Sequence, residues 1–280
     1  MALTNSATRY GSVTKTFHWI IALLIITLIP LGIYANGLPY ETSEELALKA
    51  YVFSIHKTLG VTVFFFALGR ILWAITQVKP APLHPERRAE TLAAATVHWL
   101  LYGSLLLVPL SGWVHHAATE GFAPIWWPFG QNLPFVPKSQ PLAEMTAGLH
   151  VVLEKVLLGS LLLHIAGALK HHVIDRDVTL RRMWFGSTES TGHGAHPSNT
   201  GPFVAALVVW GAAVGVGNAM GLYESHHAAP EVAQLEAVTS DWEVQEGTIK
   251  ITVIQLGSEV TGAFADWQAQ ISYDPDVRAG

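Results

Sequence analysis

Apolar residues in the first 222 positions fall in long blocks, not in the alternation of a strand or the narrow stripe of a surface helix. Four blocks occupy residues 17–33, 54–76, 96–113 and 149–169, and a fifth, residues 202–222, carries no charge. Each approaches the ~20 residues that cross a hydrocarbon core of ~30 Å. The pattern therefore predicts five membrane-spanning helices. Basic residues precede the first block and small ones follow it at positions 35–37, as in a signal peptide. It lacks a small-x-small cleavage site and begins with His18, in register with other membrane histidines, so it reads as a retained span. Residues 187–201, rich in Gly, Ser, Thr and His, read as a linker whose His193 and His196 are solvated or bind stray metal. After Tyr223 the period changes. Residues 248–256 alternate apolar and polar, Gly257-Ser258 marks a turn, and residues 259–264 and 268–273 continue as short strands.

Composition supports the bilayer. Of 280 residues half are hydrophobic and 13% are charged, where a soluble domain carries roughly a quarter. The absence of cysteine excludes disulfides, thiolate zinc sites, iron–sulfur clusters and covalently attached haem. Histidine, present 14 times, remains for metal chemistry.

Charge sets an expected orientation. With the N-terminus inside, Arg9, Lys15, Lys79, Arg87, Arg88, Lys170, Arg176, Arg181 and Arg182 are cytoplasmic, against Lys49 and Lys138 in the outer loops. This is a positive-inside pattern, and it carries the fifth span's C-terminal tail to the periplasmic side of an inner membrane. The chain to Leu222 has 14 basic and 11 acidic residues, and the rest has 2 and 10. No basic soluble face offers itself to nucleic acid.

Ionisable side chains within a membrane are costly, so each is a functional hypothesis. His18, His56, His98, His150 and His164 lie within or at the ends of spans. His150 and His164 are 14 residues apart on one helix, which is about 40° short of four turns and about 21 Å along the axis. They share a face, one near each membrane surface. Alternating helix directions place His150 and His56 at the outer level and His164 and His18 at the inner. His18 can meet His164, and His56 can meet His150, at opposite ends of a four-helix bundle. Depth leaves rivals open: His98 for His18 at the inner end, His115 and His116 for His56 at the outer. Neutral imidazole is a preferred iron ligand, and bundles build cofactor sites from facing helices. Two opposed histidines per level would hold haem b, and filled axial positions favour electron transfer over chemistry at the iron. Interhelical hydrogen bonding explains a single membrane histidine, but four matched in depth across three helices fit it poorly.

These segments resemble the bacterial cytochrome b-561 family of di-haem four-helix membrane cytochromes. The resemblance rests on Thr14-Lys-Thr-Phe-His18-Trp19, on His56-Lys-Thr-Leu-Gly60 with Gly69-Arg70-Ile-Leu-Trp73, and on His98-Trp-Leu-Leu-Tyr102 with Pro109-Leu-Ser-Gly-Trp113. It continues through His150, His164, Ala168-Leu-Lys-His171-His172 and Arg181-Arg182-Met183. It implies an all-α membrane fold with a di-haem bundle over residues 8–186, followed by a linker at 187–201, an added fifth helix at 202–222 and an acidic tail at 223–280. It also implies axial pairs His18/His164 and His56/His150 for two haem b groups, with His98 close to the inner haem rather than bound to it. Arg70, 14 residues beyond His56, then lies at inner-haem depth, where it neutralises a propionate or snorkels to headgroups. Lys57 and Lys155 lie near the outer ligands and would attract a propionate, an anionic substrate or lipid phosphate. The loop Ile125-Trp-Trp-Pro-Phe-Gly130 with Leu133-Pro134 reads as a cover over the outer haem, a wall of a quinone site or an interfacial aromatic belt. In the fifth span Gly211, Gly215, Gly217 and Gly221 allow close packing on the bundle or on a partner.

The tail is similar to the opening of the polyisoprenoid-binding, lipocalin-like (YceI-like) family, through Asp241-Trp242, the run Gly257 to Phe264, Trp267 and Ile271-Ser-Tyr-Asp-Pro275. Three or four strands cannot close an eight-stranded barrel, so the segment is expected to be an incomplete one. The functional expectation is transfer of electrons to or from ubiquinone, with superoxide as a periplasmic donor in one branch of the family. A membrane-anchor subunit of a larger respiratory or dehydrogenase complex is one alternative; a quinone, isoprenoid or metal binding module without a redox role is another.

Overall fold

The computed structural model describes residues 2–119, 121–190, 192, 198–224, 245–255, 258–264, 267 and 269. The chain divides into two compact units, one holding the helices up to Glu224 and one holding a hairpin near the C-terminus.

Helices α1 (Ser12–Gly37), α2 (Ser43–Ile75), α3 (Arg88–Ala118) and α4 (Gln140–Lys170) form the first unit's core, with α6 (Thr200–Ala219) beside α3 and α4. All five long helices are apolar enough to cross a membrane, so the expected all-α membrane fold is what forms. The helices outrun the apolar blocks. At 33 residues α2 is about 50 Å long, well beyond a ~30 Å hydrocarbon core. Its extra turns start at a capping box: the Glu45 N–H donates to Thr42 Oγ1 (3.2 Å) and the Thr42 N–H to Glu45 Oε2 (3.1 Å). Hydropathy alone marks only the part of a helix that lipid surrounds, which is why these turns were not expected.

The buried core joins Ile21, Ile25 and Leu28 of α1, Val63 and Ala67 of α2, Leu105 and Val108 of α3, and Leu153 and Leu157 of α4. Conserved spacing is not needed to see why: steps of three, four and seven keep each set on one side of its helix.

At the end where α1 begins, loops and helix starts are tied together. Lys15 is buried, its Nζ donating to the Gly186 carbonyl (2.8 Å), and Trp19 Nε1 donates to the Met183 carbonyl (2.8 Å). Trp73 Nε1 donates to Thr14 Oγ1, and Arg182 to the Ala81 carbonyl. Lys15, Trp19, Trp73 and Arg182 of the resemblance motifs are thus the ties of this end. α4 widens into a π-helical turn (His171–Asp175), stops at Arg176 in the left-handed region (φ 55°), and is followed by α5 (Thr179–Met183).

α6 seats on glycines of its neighbours. The Trp210 ring lies where a Cβ on Gly103 would stand, and its Nε1 donates to Ser104 Oγ (3.3 Å). Gly217 packs on Val152 and Tyr223, while Gly211 and Gly215 face open space. The fifth span therefore does pack on the bundle, but the stripe's first two glycines do not make that contact.

In the second unit β1 (Lys250–Gln255) pairs antiparallel with β2 (Ser258–Ala263), Lys250 opposite Ala263. These match the first two expected strands. Their intervening turn, most of the third strand and His193 and His196 of the linker lie outside the described residues.

Candidate functional site

The four bundle helices each present one seam that starts or ends with a polar position. On α1 it runs His18, Ile21, Ile25, Leu28, Gly32; on α2 His56, Val63, Ala67, Arg70. On α3 it runs His98, Leu105, Val108, Gly112; on α4 His150, Leu153, Leu157, His164. The apolar members meet in the core, which leaves the terminal positions at two levels, one at each end of it.

At the level where α1 begins, three histidines gather. The His18 and His164 rings have centroids 6.1 Å apart at 64°, and His98 and His164 are 5.1 Å apart at 79°. A metal ion bonded to two imidazoles at about 2 Å each sets their centroids roughly 6 Å apart. The first pair fits that spacing and the second is short of it. His98 donates its Nδ1–H to the Ala94 carbonyl one turn back (2.7 Å), and His18 Nδ1 is buried with no hydrogen-bonding partner. Arg70 is the charged neighbour of all three rings, its guanidinium 5.4 Å from the Tyr102 ring centre.

At the other level His56 and His150 are electrostatic neighbours. The His150 Nδ1–H donates to the Val108 carbonyl (2.8 Å), leaving Nε2 with its lone pair free for a ligand bond. His56 Nδ1 is buried and makes no hydrogen bond within 3.5 Å, with the Leu28 backbone as its polar neighbour. Leaving such groups unmet costs about 1–3 kcal/mol each, so His18 and His56 are the polar atoms a bound group would satisfy. The two rings rest against glycines: a Cβ on Gly32 would stand 2.8 Å from His56 Cε1, and one on Gly112 3.0 Å from His150 Cε1 and Nδ1. The residues present fit a haem iron by ring spacing at the first level, and by donor set and glycine-lined ring seats at the second.

The rivals at this level are placed too. His115 commits its Nδ1–H to the Ala143 carbonyl (2.7 Å), and its ring lies 4.5 Å from that of His116. His116 stands among Lys57, His56 and His150. Lys57 is buried and donates to the Ala123 carbonyl (2.7 Å), fastening the aromatic loop to α2. Lys155 is exposed and pairs with the adjacent Glu154 (2.7 Å). The loop itself is docked. Phe129 stacks on Phe65 (5.3 Å, 9°), Trp113 Nε1 donates to the Gly130 carbonyl, and the Trp126 N–H donates to Thr58 Oγ1. Trp127 projects outward at 90% exposure, as a membrane-interface anchor would.

Gly32 and Gly112 are the site residues that sequence reasoning passed over. The signal was there: Gly32 follows His18, and Gly112 follows His98, by the same 14 residues that separate His150 from His164 and His56 from Arg70.

Residues 9–186 match the family model described as prokaryotic cytochrome b561. The chain is 30% identical over 196 residues to cytochrome b561 homolog 2 of Escherichia coli K12, covering 69% of this chain and all of that protein. It is 25% identical to cytochrome b561 homolog 1 of the same organism (62% of this chain, 96% of that protein). To the probable superoxide oxidase CybB of Yersinia pestis it is 24% identical (62% and 95%). With haem-compatible histidines at two levels of a membrane bundle and a family match over most of its length, the chain belongs to the prokaryotic cytochrome b561 family, multi-pass membrane haem proteins of electron transport.

Proposed function

We propose that the chain carries electrons across the membrane between two haem b groups, one held by His18 and His164 and the other by His56 and His150. The observation that carries this is the placement of the histidines at two levels of one bundle: a pair spaced for an iron at one, and two rings seated against glycines at the other. Held by these histidines, haem would supply a one-electron iron couple suited to electron transfer. The protein's own part is positional. Val108 fixes the His150 tautomer, Gly32 and Gly112 admit the rings, and His98, held by its own helix, packs beside His164. Arg70 offers its charge to a propionate at the inner level. The apolar seam between the levels keeps water and protons from the path.

The bundle domain is assigned to residues 8–186, the linker to 187–201, the fifth span to 202–222 and the tail to 223–280. The N-terminus is placed in the cytoplasm, the tail in the periplasm and the whole in the inner membrane, on the distribution of Lys and Arg. Ubiquinone is the proposed inner-membrane redox partner and superoxide the outer donor; the likeness to a probable superoxide oxidase supports the latter. A second reading, an anchor subunit passing electrons within a larger complex, draws support from Gly211 and Gly215, which leave one face of α6 open to another helix.

The test is a reduced-minus-oxidised spectrum with haem quantitation on the purified protein beside His150→Ala and His164→Ala. Two b haems per chain, each substitution removing mainly one, is the expected result. Absence of haem, or one haem indifferent to both changes, overturns the proposal. Further subunits that co-purify stoichiometrically would favour the anchor reading.

A further inference from the structure

We propose that the end of the bundle where α4 stops carries a binding site for a divalent transition metal, of the zinc class, formed by His84, His171 and Asp177. The three come from separate pieces of chain. His84 lies in the connection between α2 and α3, His171 opens the π-helical turn, and Asp177 follows the left-handed Arg176. His84 Nε2 is 3.1 Å and His171 Nδ1 2.7 Å from the same carboxylate oxygen, Asp177 Oδ2, and all three ligand atoms lie within 4.8 Å of one another. With metal–ligand bonds of about 2.0–2.1 Å, tetrahedral ligand atoms sit roughly 3.3 Å apart. The two contacts to Asp177 are short of that spacing by a few tenths of an ångström.

A second observation points to a metal. Both rings present their outer nitrogen to a carboxylate: His171 Nε2 to Glu90 Oε1 at 3.0 Å, and His84 Nδ1 to Glu86 Oε1 at 3.4 Å. Asp177 Oδ1 in turn accepts the Thr179 N–H at 2.8 Å. This is the outer shell that orients metal-bound histidines, since a carboxylate on the far nitrogen fixes the tautomer and leaves the near nitrogen unprotonated. With the outer nitrogens carrying the protons, the near nitrogens would aim lone pairs at a carboxylate oxygen, which a cation between them resolves; His171 Nδ1 also lies 3.1 Å from Asp175 Oδ2. Asp177's ion-pair partners among the described residues are these two histidines.

The neighbouring trio Glu90, His171 and Asp175 is the weaker candidate. There Lys170 already stands between the two carboxylates, 2.7 Å from Glu90 Oε1 and 2.8 Å from Asp175 Oδ2, and Arg87 adds a contact at 3.1 Å. Imidazole with carboxylate suits zinc and similar ions and gives little to magnesium or calcium. The consequence is mechanical: a metal here would clamp the α2–α3 connection to the end of α4.

The experiment uses the haem-loaded, tag-free full chain in detergent, with His193→Ala and His196→Ala in the background so that the linker does not bind metal. After chelator treatment, Zn2+ is titrated against a colorimetric zinc chelator, and X-ray absorption reads the ligand shell. One Zn2+ per chain with two imidazoles is expected. His84→Ala and Asp177→Ala should each weaken it more than tenfold, and Glu90→Gln, which removes the outer partner of His171 together with a charge partner of Lys170 and Arg87, by about 10- to 100-fold. The haem spectrum checks folding in each variant. Zn2+ affinity unchanged by His84→Ala and Asp177→Ala, or no Zn2+ held against the chelator by the parent, overturns the proposal. The haem assignments stand or fall separately.

Discussion

Gly32→Ala and Gly112→Ala test the two-level arrangement at its tightest points. A Cβ on Gly32 would lie 2.8 Å from His56 Cε1, and one on Gly112 3.0 Å from His150 Cε1 and Nδ1. Carbon atoms settle at about 3.5–4.0 Å, so each ring would have to retreat by roughly 0.5–1.2 Å. For His150 that retreat stretches the 2.8 Å bond to the Val108 carbonyl that sets its tautomer. Overpacking of this kind costs about 1–3 kcal/mol, which at 1.4 kcal/mol per tenfold is a roughly 5- to 150-fold loss of affinity for the haem those rings hold. The helix itself gains, because alanine is favoured over glycine in a helix by about 1 kcal/mol. The expected signature is therefore divided: unchanged or improved stability of the chain, with haem per chain falling from two toward one.

Haem quantitation on purified protein, followed by a redox titration that separates the two haems, reads this out. The component lost should be the one removed by His150→Ala, not the one removed by His164→Ala. Gly60→Ala and Gly159→Ala are matched controls, since an added Cβ meets nothing within 4 Å at either position. Full retention of both haems in Gly32→Ala and Gly112→Ala, or loss of the inner haem instead, would refute the reasoning.

Other expectations follow from the same geometry. His98→Ala should keep both haems and shift only the inner one's potential, while His18→Ala should remove that haem; equal loss in both would make His98 a ligand, and the spectrum decides. Lys57→Met leaves the buried Ala123 carbonyl without its donor, at about 1–3 kcal/mol, and should lower the midpoint of thermal unfolding with the aromatic loop the first region to exchange amide hydrogens. Trp210→Ala removes the large side chain that seats α6 on Gly103 and Ser104; a loss of about 3–5 kcal/mol should appear as early protease cleavage around α6, with both haems retained.

How much of this could be read from the sequence depended on whether a feature is local in pattern. Hydropathy blocks gave the five spans, because lipid imposes one requirement on every residue it touches. Alternation gave the hairpin pair around Lys250–Gln255 and Ser258–Ala263. The levels of His18, His56, His150 and His164 were read from rise per residue together with alternating helix direction. The helical extensions beyond the membrane, such as the first turns of α2, obey capping chemistry at Thr42 and Glu45 rather than hydropathy. Which of His18 and His98 faces His164 at iron spacing is a question of helix rotation, and depth carries no information about rotation. The joining of His84 to His171 and Asp177 depends on a π-turn and a left-handed residue, neither of which leaves a periodic trace.

The pairing of positions 14 apart on all four helices has a single physical cause. Fourteen residues span about 21 Å and return within about 40° of the starting direction, so a helix can serve both levels of the bundle from one face. In the proposed assignment α4 supplies a ligand from each end, and it is the helix from which each proposed pair draws one member. α1 and α2 each supply one histidine, and at their other level they supply what the opposite ligand needs there: Gly32 admits the His56 ring, and Arg70 brings charge to the inner histidines. α3 supplies no ligand in this assignment, yet it obeys the same spacing with His98 and Gly112. Its histidine packs beside His164, and its glycine receives the His150 ring. A ligand role for His98 in place of His18 would leave His18 Nδ1 buried without a hydrogen-bonding partner. The 6.1 Å spacing of His18 to His164, against 5.1 Å for His98, argues that the third helix shapes both sites without binding at either.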